Sequence, residues 1–423
     1  MQTQTESNEN VQIVGTKAVL TCVHYGQTRA FYVDASRTNG EIRIVPCLSE
    51  PDEYVAIEKH SPFWCRPFFG RDLHDIPAWT QALLLRKGER YRYILPVCAD
   101  TWKTVIRGGQ DGMEFRISAD CAGVTDCVRQ LAWVEAEGID PLKLAHDCAE
   151  AAAVLLGNGL KLRADRKYPE ALEYLGWCSW DAFQIRVSEA GLLEKAAEFR
   201  DKQVPVRFAI IDDMWADVPH LKEIPPETGF SDMVHEMHKS PIRSFEGDPV
   251  RFPDGMKHTV ETLKEAGIRD VGIWFPTTGY WFGVEPGSEM EREFADNLFT
   301  APDGRRIVKP ELPHTAHWFG ALCGKAKAWG ADFVKIDNQG CQHFYREAGA
   351  IGKTARAVQT GIETAVAEHF GGAVINCMGM PSECMFNRPD SAVSRCSDDF
   401  MPENREWFTK NILQCAYNGI LQG

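Results

Sequence analysis

The chain lacks an uninterrupted apolar run of the roughly 20 residues that a bilayer-spanning helix needs. Its first residues, MQTQTESNENVQ, carry neither the basic stretch nor the apolar core of an export signal. Positive charge is in deficit, with 46 Lys and Arg against 60 Asp and Glu and a formal net charge of −14. Proteins that bind nucleic acid or anionic membranes neutralise phosphate with Lys and Arg, so neither partner is expected. The 14 cysteines contain no CxxC and none of the paired spacings of a zinc site. Several sit in apolar contexts, such as Cys98 in YILPVCAD and Cys377 in AVINCMG, and read as free thiols in a reducing compartment. The expectation is a soluble cytoplasmic protein without an export signal, acting on a neutral small molecule; a homo-oligomer is left open.

What is present is the composition of a globular protein of two domains. Hydrophobic residues are 44% and charged residues 25% of the 423, with 35 Gly and 23 Pro, which indicates neither disorder nor a fibrous repeat. Short β-rich runs (KAVLTCVHYG, TRAFYVDAS, GEIRIVPCL, RYRYILPVCA, MEFRISAD) are separated by turn residues, with a hairpin signal at Asn39-Gly40. They predict an all-β sandwich over residues 1–139. Helical spacing ending in Gly-Asn-Gly predicts a linker helix within 140–171.

From 172 to 423 apolar runs (EYLGWCSW, VRFAIIDD, DVGIWFPTT, DFVKIDNQ, AVINCMG, SAVSRCSDD) alternate with amphipathic helical stretches. That alternation means a parallel sheet covered by helices. Nearly every run carries its ionisable or aromatic residues at its C-terminal end, whereas an open doubly wound sheet would do so only at its switch point. The expected class is therefore multidomain α/β: a (β/α)8 TIM-type barrel preceded by the sandwich. Only six strand–helix units are visible, so the barrel is expected to be truncated or completed by another chain.

Retaining cleavage of a glycosidic bond needs two carboxyl groups ~5–5.5 Å apart, a nucleophile and an acid. Three strand ends offer them. In FVKIDNQG the period of two places Lys335, Asp337 and Gln339 on one side, where the ammonium could keep Asp337 ionised, or the two could form a structural ion pair. Asp212-Asp213 could hold a divalent metal or sugar hydroxyls; no second ligand cluster supports the metal, and His235 and His238 read as solvated loop residues. Asp398-Asp399 could supply an acid whose proton a neighbouring carboxylate retains, or could cap the following helix. Trp177, Trp180, Trp215, Trp274 and Trp281 lie near these ends, as sugar platforms or as core.

Four motifs in this order, GWCSWDAF, FAIIDDMW, FVKIDNQG and SRCSDDFMP, resemble glycoside hydrolase family 36. The likeness is strongest to its branch of raffinose synthases, seed imbibition proteins and alkaline α-galactosidases, and covers residue 172 onward. The resemblance implies Asp337 as nucleophile, Asp399 as acid/base, and no metal or organic cofactor. It further implies Lys335, Arg395, Trp180, Asp212 and Asp213 as sugar ligands, with Trp274 and Cys377 facing the pocket; Asp398, beside the acid, is grouped with the substrate-binding residues. Two departures stand out: Met214 replaces the usual Gly after the Asp pair, and CMGMP replaces a CMSHN-type strand end. The expected function is a retaining α-galactosidase. Transfer of the galactosyl group to another sugar, a different α-glycoside, and a catalytically silent carbohydrate-binding protein remain as alternatives.

Overall fold

The computed structural model describes residues 11–14, 18–35, 40–121, 123–124, 127–401 and 404–421. Of the expected Asn39-Gly40 hairpin, Asn39 lies outside them. Eleven strands open the chain: β1 (Val11–Val14), β2 (Ala18–Tyr25), β3 (Thr28–Ala35), β4 (Glu41–Pro46), β5 (Glu53–Lys59), β6 (Cys65–Gly70), β7 (Thr80–Lys87), β8 (Arg90–Pro96), β9 (Lys103–Gly109), β10 (Gly112–Ser118) and β11 (Cys127–Gly138). They form one antiparallel sheet, β1-β4-β10-β9-β7-β8-β11-β3-β2, with β5 on β7 and β6 on β5.

The strands expected as an all-β sandwich thus form one continuous antiparallel sheet that curls, its two halves sharing the core of Phe31, Ile44, Tyr54, Leu83, Phe115 and Trp133. The cause lies in β7, which pairs with β9 at Thr80 and with β8 from Leu83 onward, so the ladder passes from one half to the other without a break. Alternation builds the inner face: β4 buries Ile42 and Ile44 while Arg43 and Val45 turn outward. At its centre Trp133 stacks between Phe31 and Phe115, with ring centroids at 4.5 and 3.9 Å.

The helix Pro141–Leu156 starts where Asp140 accepts from the amides of Leu142 and Lys143, with Pro at its first position, and stops at Gly157 in the left-handed region (φ 62). It buries Leu144, Ala145, Cys148, Ala151 and Ala152 in a core shared with Tyr93, Val134 and Ala136 of β8 and β11.

Six strands then form a parallel sheet in chain order: β12 (Gly176–Cys178), β13 (Phe208–Ile211), β16 (Asp270–Pro276), β19 (Phe333–Asp337), β20 (Val374–Asn376) and β21 (Val393–Ser394). Two small hairpin-like pairs interrupt it, β14 (Ala216–Asp217) with β15 (Ser244–Gly247) and β17 (Leu298–Thr300) with β18 (Arg306–Val308). Every residue of β16 and β19 is buried, as mainly apolar strands under a helical cover require, with the charged Asp270, Lys335 and Asp337 among them. The cover includes the helices Glu189–Asp201, Gly255–Glu265, Leu312–Ala328 and Ile351–Phe370. Gly272 is needed here, because a Cβ on it would fall 2.2 Å from the ring of Phe333. Among the described residues β12 and β21 do not pair with each other, so the sheet is open where an eight-stranded barrel would be closed.

The two sheets are joined at several points. The carboxylate of Glu383, after β20, accepts from Lys59 at the end of β5 and from Lys103 at the start of β9. The last helix, Arg405–Leu421, reaches β6: Asn418 Nδ2 donates to the Cys65 carbonyl at 2.8 Å, and Tyr417 meets the edge of Phe69.

Candidate active site

Parallel strands covered on the outside expose their C-terminal ends along one rim, and the polar residues just past the apolar runs collect there. They line a cavity of about 590 Å³. Trp180 and Asp181 follow β12, Asp212 and Asp213 follow β13, Trp274 comes from β16, Lys335 and Asp337 from β19, and Arg395, Asp398 and Asp399 follow β21.

Asp337 ends β19 with 6% of its surface exposed. Its Oδ2 accepts from the Trp274 indole at 3.0 Å and its Oδ1 from the Asn338 amide at 2.7 Å, which fixes the carboxylate plane. Lys335 shares the cavity but does not bond Asp337; its ammonium donates to Asp212 Oδ2 at 2.7 Å. The expected Lys335–Asp337 partnership is thus corrected. The strand order β13-β16-β19 places Asp212 and Lys335 on either side of β16, and the long Lys335 side chain spans the gap to the carboxylate. Burial alone would lower the Lys335 pKa, but Asp212 foremost, then Cys178, Cys377 and Asp337, holds it well above its usual value.

β13 ends at Ile211, so the turn that follows brings both carboxylates of the pair to the cavity. Asp213 accepts from the Tyr280 hydroxyl and the Trp281 indole, each at 2.8 Å. Burial pushes its carboxyl up to about 8, the charges of Asp212 and Asp337 add to the rise, and the two donors oppose it. Burial, and next the charge of Asp399, also raises Asp181.

On the facing side Arg395 Nη1 donates to Asp399 Oδ1 at 2.8 Å, and the guanidinium lies 4.8 Å over the Trp64 ring. Asp398 is placed by Gln414, which accepts from its amide at 2.9 Å and donates to its Oδ2 at 3.2 Å, with His60 Nε2 at 3.6 Å. Neither Asp caps the last helix: Asn404 does, its side chain accepting from the amides of Glu406 and Trp407. Cys377 departs from expectation. It is fully buried and outside the cavity lining, its thiol taken up by Arg395 at 3.5 Å and bonded to Asp337; burial pushes that thiol to about 12, with Asp337 adding to the rise.

Of the five tryptophans, Trp180, Trp274 and Trp281 line the cavity. Trp215 is buried with its indole on the Trp274 carbonyl at 2.6 Å, and Trp177 packs edge-on to Phe183 and Phe199. His238 is corrected from loop to lining: it ends the helix Phe230–His238 and stands edge-on to Trp281 at 5.0 Å. Asp181, a strand-end residue of GWCSWDAF, lines the cavity, whereas Cys178 of the same motif and Trp64 went unanticipated; Trp64, between β5 and β6, is brought by contact between the sheets, which no local pattern reveals. Among the described residues the one metal-sized acidic cluster is Glu189, Asp254 and His258, outside this lining.

A sequence model described as raffinose synthase or seed imbibition protein Sip1 matches residues 5–423. The chain is 26% identical over 407 residues to a probable galactinol–sucrose galactosyltransferase 6 of Arabidopsis thaliana, covering 85% of this chain and 53% of that one. It is 24% identical over 420 residues to a galactinol–sucrose galactosyltransferase of Pisum sativum, covering 88% and 52%. The chain spans about half the length of these curated relatives. Its fold is similar to an α-galactosidase from Thermus thermophilus solved in complex with stachyose, with a TM-score of 0.56 and 17% identity over 95% of this chain and 86% of that one. A glycoside hydrolase family 36 α-galactosidase from Geobacillus stearothermophilus gives a TM-score of 0.55 at 13% identity, covering 99% and 62%.

Proposed function

The chain belongs to the raffinose synthase and seed imbibition protein family, and we propose that, as the resemblance of its strand-end motifs to glycoside hydrolase family 36 implies, it moves terminal α-galactosyl groups with retention of configuration. Asp337 attacks the anomeric carbon, and Asp399 protonates the departing oxygen and then takes a proton from the incoming hydroxyl. Lys335, Asp212, Asp213 and Arg395 bind the hydroxyls of the galactosyl ring, with Trp180 and Trp274 along its face and Asp398 beside the acid. The observation that carries this is the placement of Asp337 and Asp399 on one cavity, with the first held rigidly by two donors. A rigid, oriented carboxylate at a strand end is what a nucleophile needs; a protein that only binds sugar has no use for the pair.

Hydrolysis and transfer are two fates of one galactosyl–enzyme intermediate. The names of the relatives favour a sugar hydroxyl as acceptor, beside the hydrolysis expected from the motifs. The likeness to solved α-galactosidases supports a (β/α)8 barrel as the full catalytic architecture, and the free thiols of the described cysteines support a cytoplasmic setting. The test is release of p-nitrophenol from p-nitrophenyl α-galactoside, with product anomers followed by NMR and sucrose added as acceptor. Initial release of α-galactose, diverted by sucrose into a trisaccharide, is expected. Release of the β anomer, or no release, overturns the reading.

A further inference from the structure

The segment past β21 that carries Asp398 and Asp399 has no strand or helix of its own, and one face of the last helix, Arg405–Leu421, holds it. Asn411, Gln414, Cys415 and Asn418 recur at helical spacing and so share that face. Asn411 Nδ2 donates to the Ser397 hydroxyl at 2.9 Å and to the Asp398 carbonyl at 3.2 Å. Gln414 grips Asp398 at its amide and its carboxylate, and Asn418 Nδ2 donates to the Cys396 carbonyl at 2.8 Å. Within the segment Arg395 donates to the Ser397 carbonyl at 3.1 Å and to Asp399.

Inside this clasp two thiols meet. Cys396, half-buried, lies within side-chain hydrogen-bonding reach of the Cys415 thiol, and Cys415, exposed to solvent, also approaches Asn411 Oδ1 at 3.7 Å. Cys396 directly follows Arg395, which bonds Asp399, and Cys415 directly follows Gln414, which places Asp398. Burial, and next the Cys415 thiol, raises the Cys396 pKa, whereas Cys415 is open to a reagent from solvent; Cys415 therefore reacts first and Cys396 second. Two adjacent sulfurs on segments already fastened side by side meet the proximity that a disulfide requires.

We propose that Cys396 and Cys415 form a redox-sensitive modification site: a small-molecule disulfide of the glutathione class oxidises the two thiols to a disulfide that fastens the acid-bearing segment to the last helix. The Cys415 thiolate attacks one sulfur of oxidised glutathione, which forms a mixed disulfide and releases one glutathione thiolate. The Cys396 thiolate then attacks the Cys415 sulfur and releases the second. The two protein thiols are oxidised, the glutathione disulfide is reduced to two thiols, and the two protons that the cysteines give up end on the glutathione. Excess reduced glutathione runs both steps backward, so in a reducing compartment the bond is transient. Bonded sulfurs stand ~2.05 Å apart, closer than any non-bonded pair, so closure draws Cys396 toward the helix and Arg395 and Asp399 with it. A misplacement of about 1 Å at a reacting group costs on the order of 10²-fold in rate, so the oxidised chain is the slower one. That loss of rate rests on the α-galactosyl reading; formation of the disulfide does not.

The test is equilibration of the whole chain in glutathione buffers from fully reduced to fully oxidised, read by peptide mass mapping, unfolding midpoint and turnover of p-nitrophenyl α-galactoside. A peptide pair joined through Cys396 and Cys415, a raised midpoint and a turnover lower by about tenfold or more, all reversed by dithiothreitol, are expected. Cys415→Ser should keep the turnover of the reduced chain within about twofold and abolish the response to oxidation. Glutathione retained on Cys415 with Cys396 still free, no bond between the two sulfurs, or a response that persists in Cys415→Ser overturns the proposal. So does a mapped disulfide that leaves turnover unchanged. A mapped, reversible disulfide with a raised midpoint, in a chain that turns over no α-galactoside in either state, upholds the thiol pair and removes the reading of the acidic cavity.

Discussion

Charged side chains line both sheets, and they are arranged in opposite ways. On the antiparallel sheet Arg29 stands opposite Glu135 and Arg92 opposite Glu137, and Glu135 accepts from both arginines. Further along, Glu114 is shared by Arg43 and Arg107, and Glu41 pairs with Arg116. Each carboxylate there meets one or two guanidinium groups, and the arginines are open to water. On the parallel rim six carboxylates, Asp181, Asp212, Asp213, Asp337, Asp398 and Asp399, share one cavity lined by only two cations of Lys or Arg type, Lys335 and Arg395. A matched ladder secures strand register. An unmatched cluster that is partly buried has no such use, and it is the rim that has the composition of a reaction site.

The largest effect that would break this contrast is loss of the nucleophile. Asp337→Ala should lower turnover of an α-galactoside by ~10⁴-fold or more while the circular dichroism spectrum stays unchanged; appreciable residual rate would make Asp337 one structural carboxylate among several. Next comes Lys335→Met, which leaves Asp212 buried without its cation. It should destabilise the chain by about 3–5 kcal/mol in denaturant titrations and abolish detectable galactose binding, and a neutral outcome on both would place Lys335 with the ladder arginines.

Asp213→Asn sharpens the comparison through pH. The folded carboxyl titrates near 8, above its unfolded value, so its protonated form favours the fold at low pH, and that contribution is lost as pH rises toward and through 8. The unfolding midpoint of the unaltered chain should therefore fall relative to Asp213→Asn between pH 5 and pH 8.5. A constant difference would mean that Asp213 is ionised throughout. The smallest effect belongs to the ladder: Arg29→Gln should cost about 1 kcal/mol or less and leave turnover unchanged.

Sequence patterning was most legible where burial is complete. β16 and β19 are mostly apolar because both faces are covered, with Lys335 and Asp337 of β19 at the cavity, and helices such as Glu189–Asp201 announce themselves through caps like Ser188, whose hydroxyl accepts from the Gly191 amide. What could not be read was set by contacts between strands that are not neighbours. Lys335 lies two residues from Asp337, yet its partner is Asp212, 123 positions away, because the sheet curls. Trp64 and His60 reach the rim from the other sheet, and the pairing of β7 with β9 at Thr80 makes the antiparallel strands one continuous sheet. Spacing encodes which face a side chain takes, but not what the curvature of a sheet brings opposite it.

Glu383 links these regions in another way. Burial alone would raise its carboxyl, but Lys103 and then Lys59 hold it down at about 2. Loss of either lysine would leave that carboxylate buried short of a cation, so this contact ties the antiparallel sheet to the parallel one only while all three residues are present. Heat should melt both sheets in a single cooperative transition, and over evolutionary time a substitution at any one of the three positions would be tolerated only alongside change at the others.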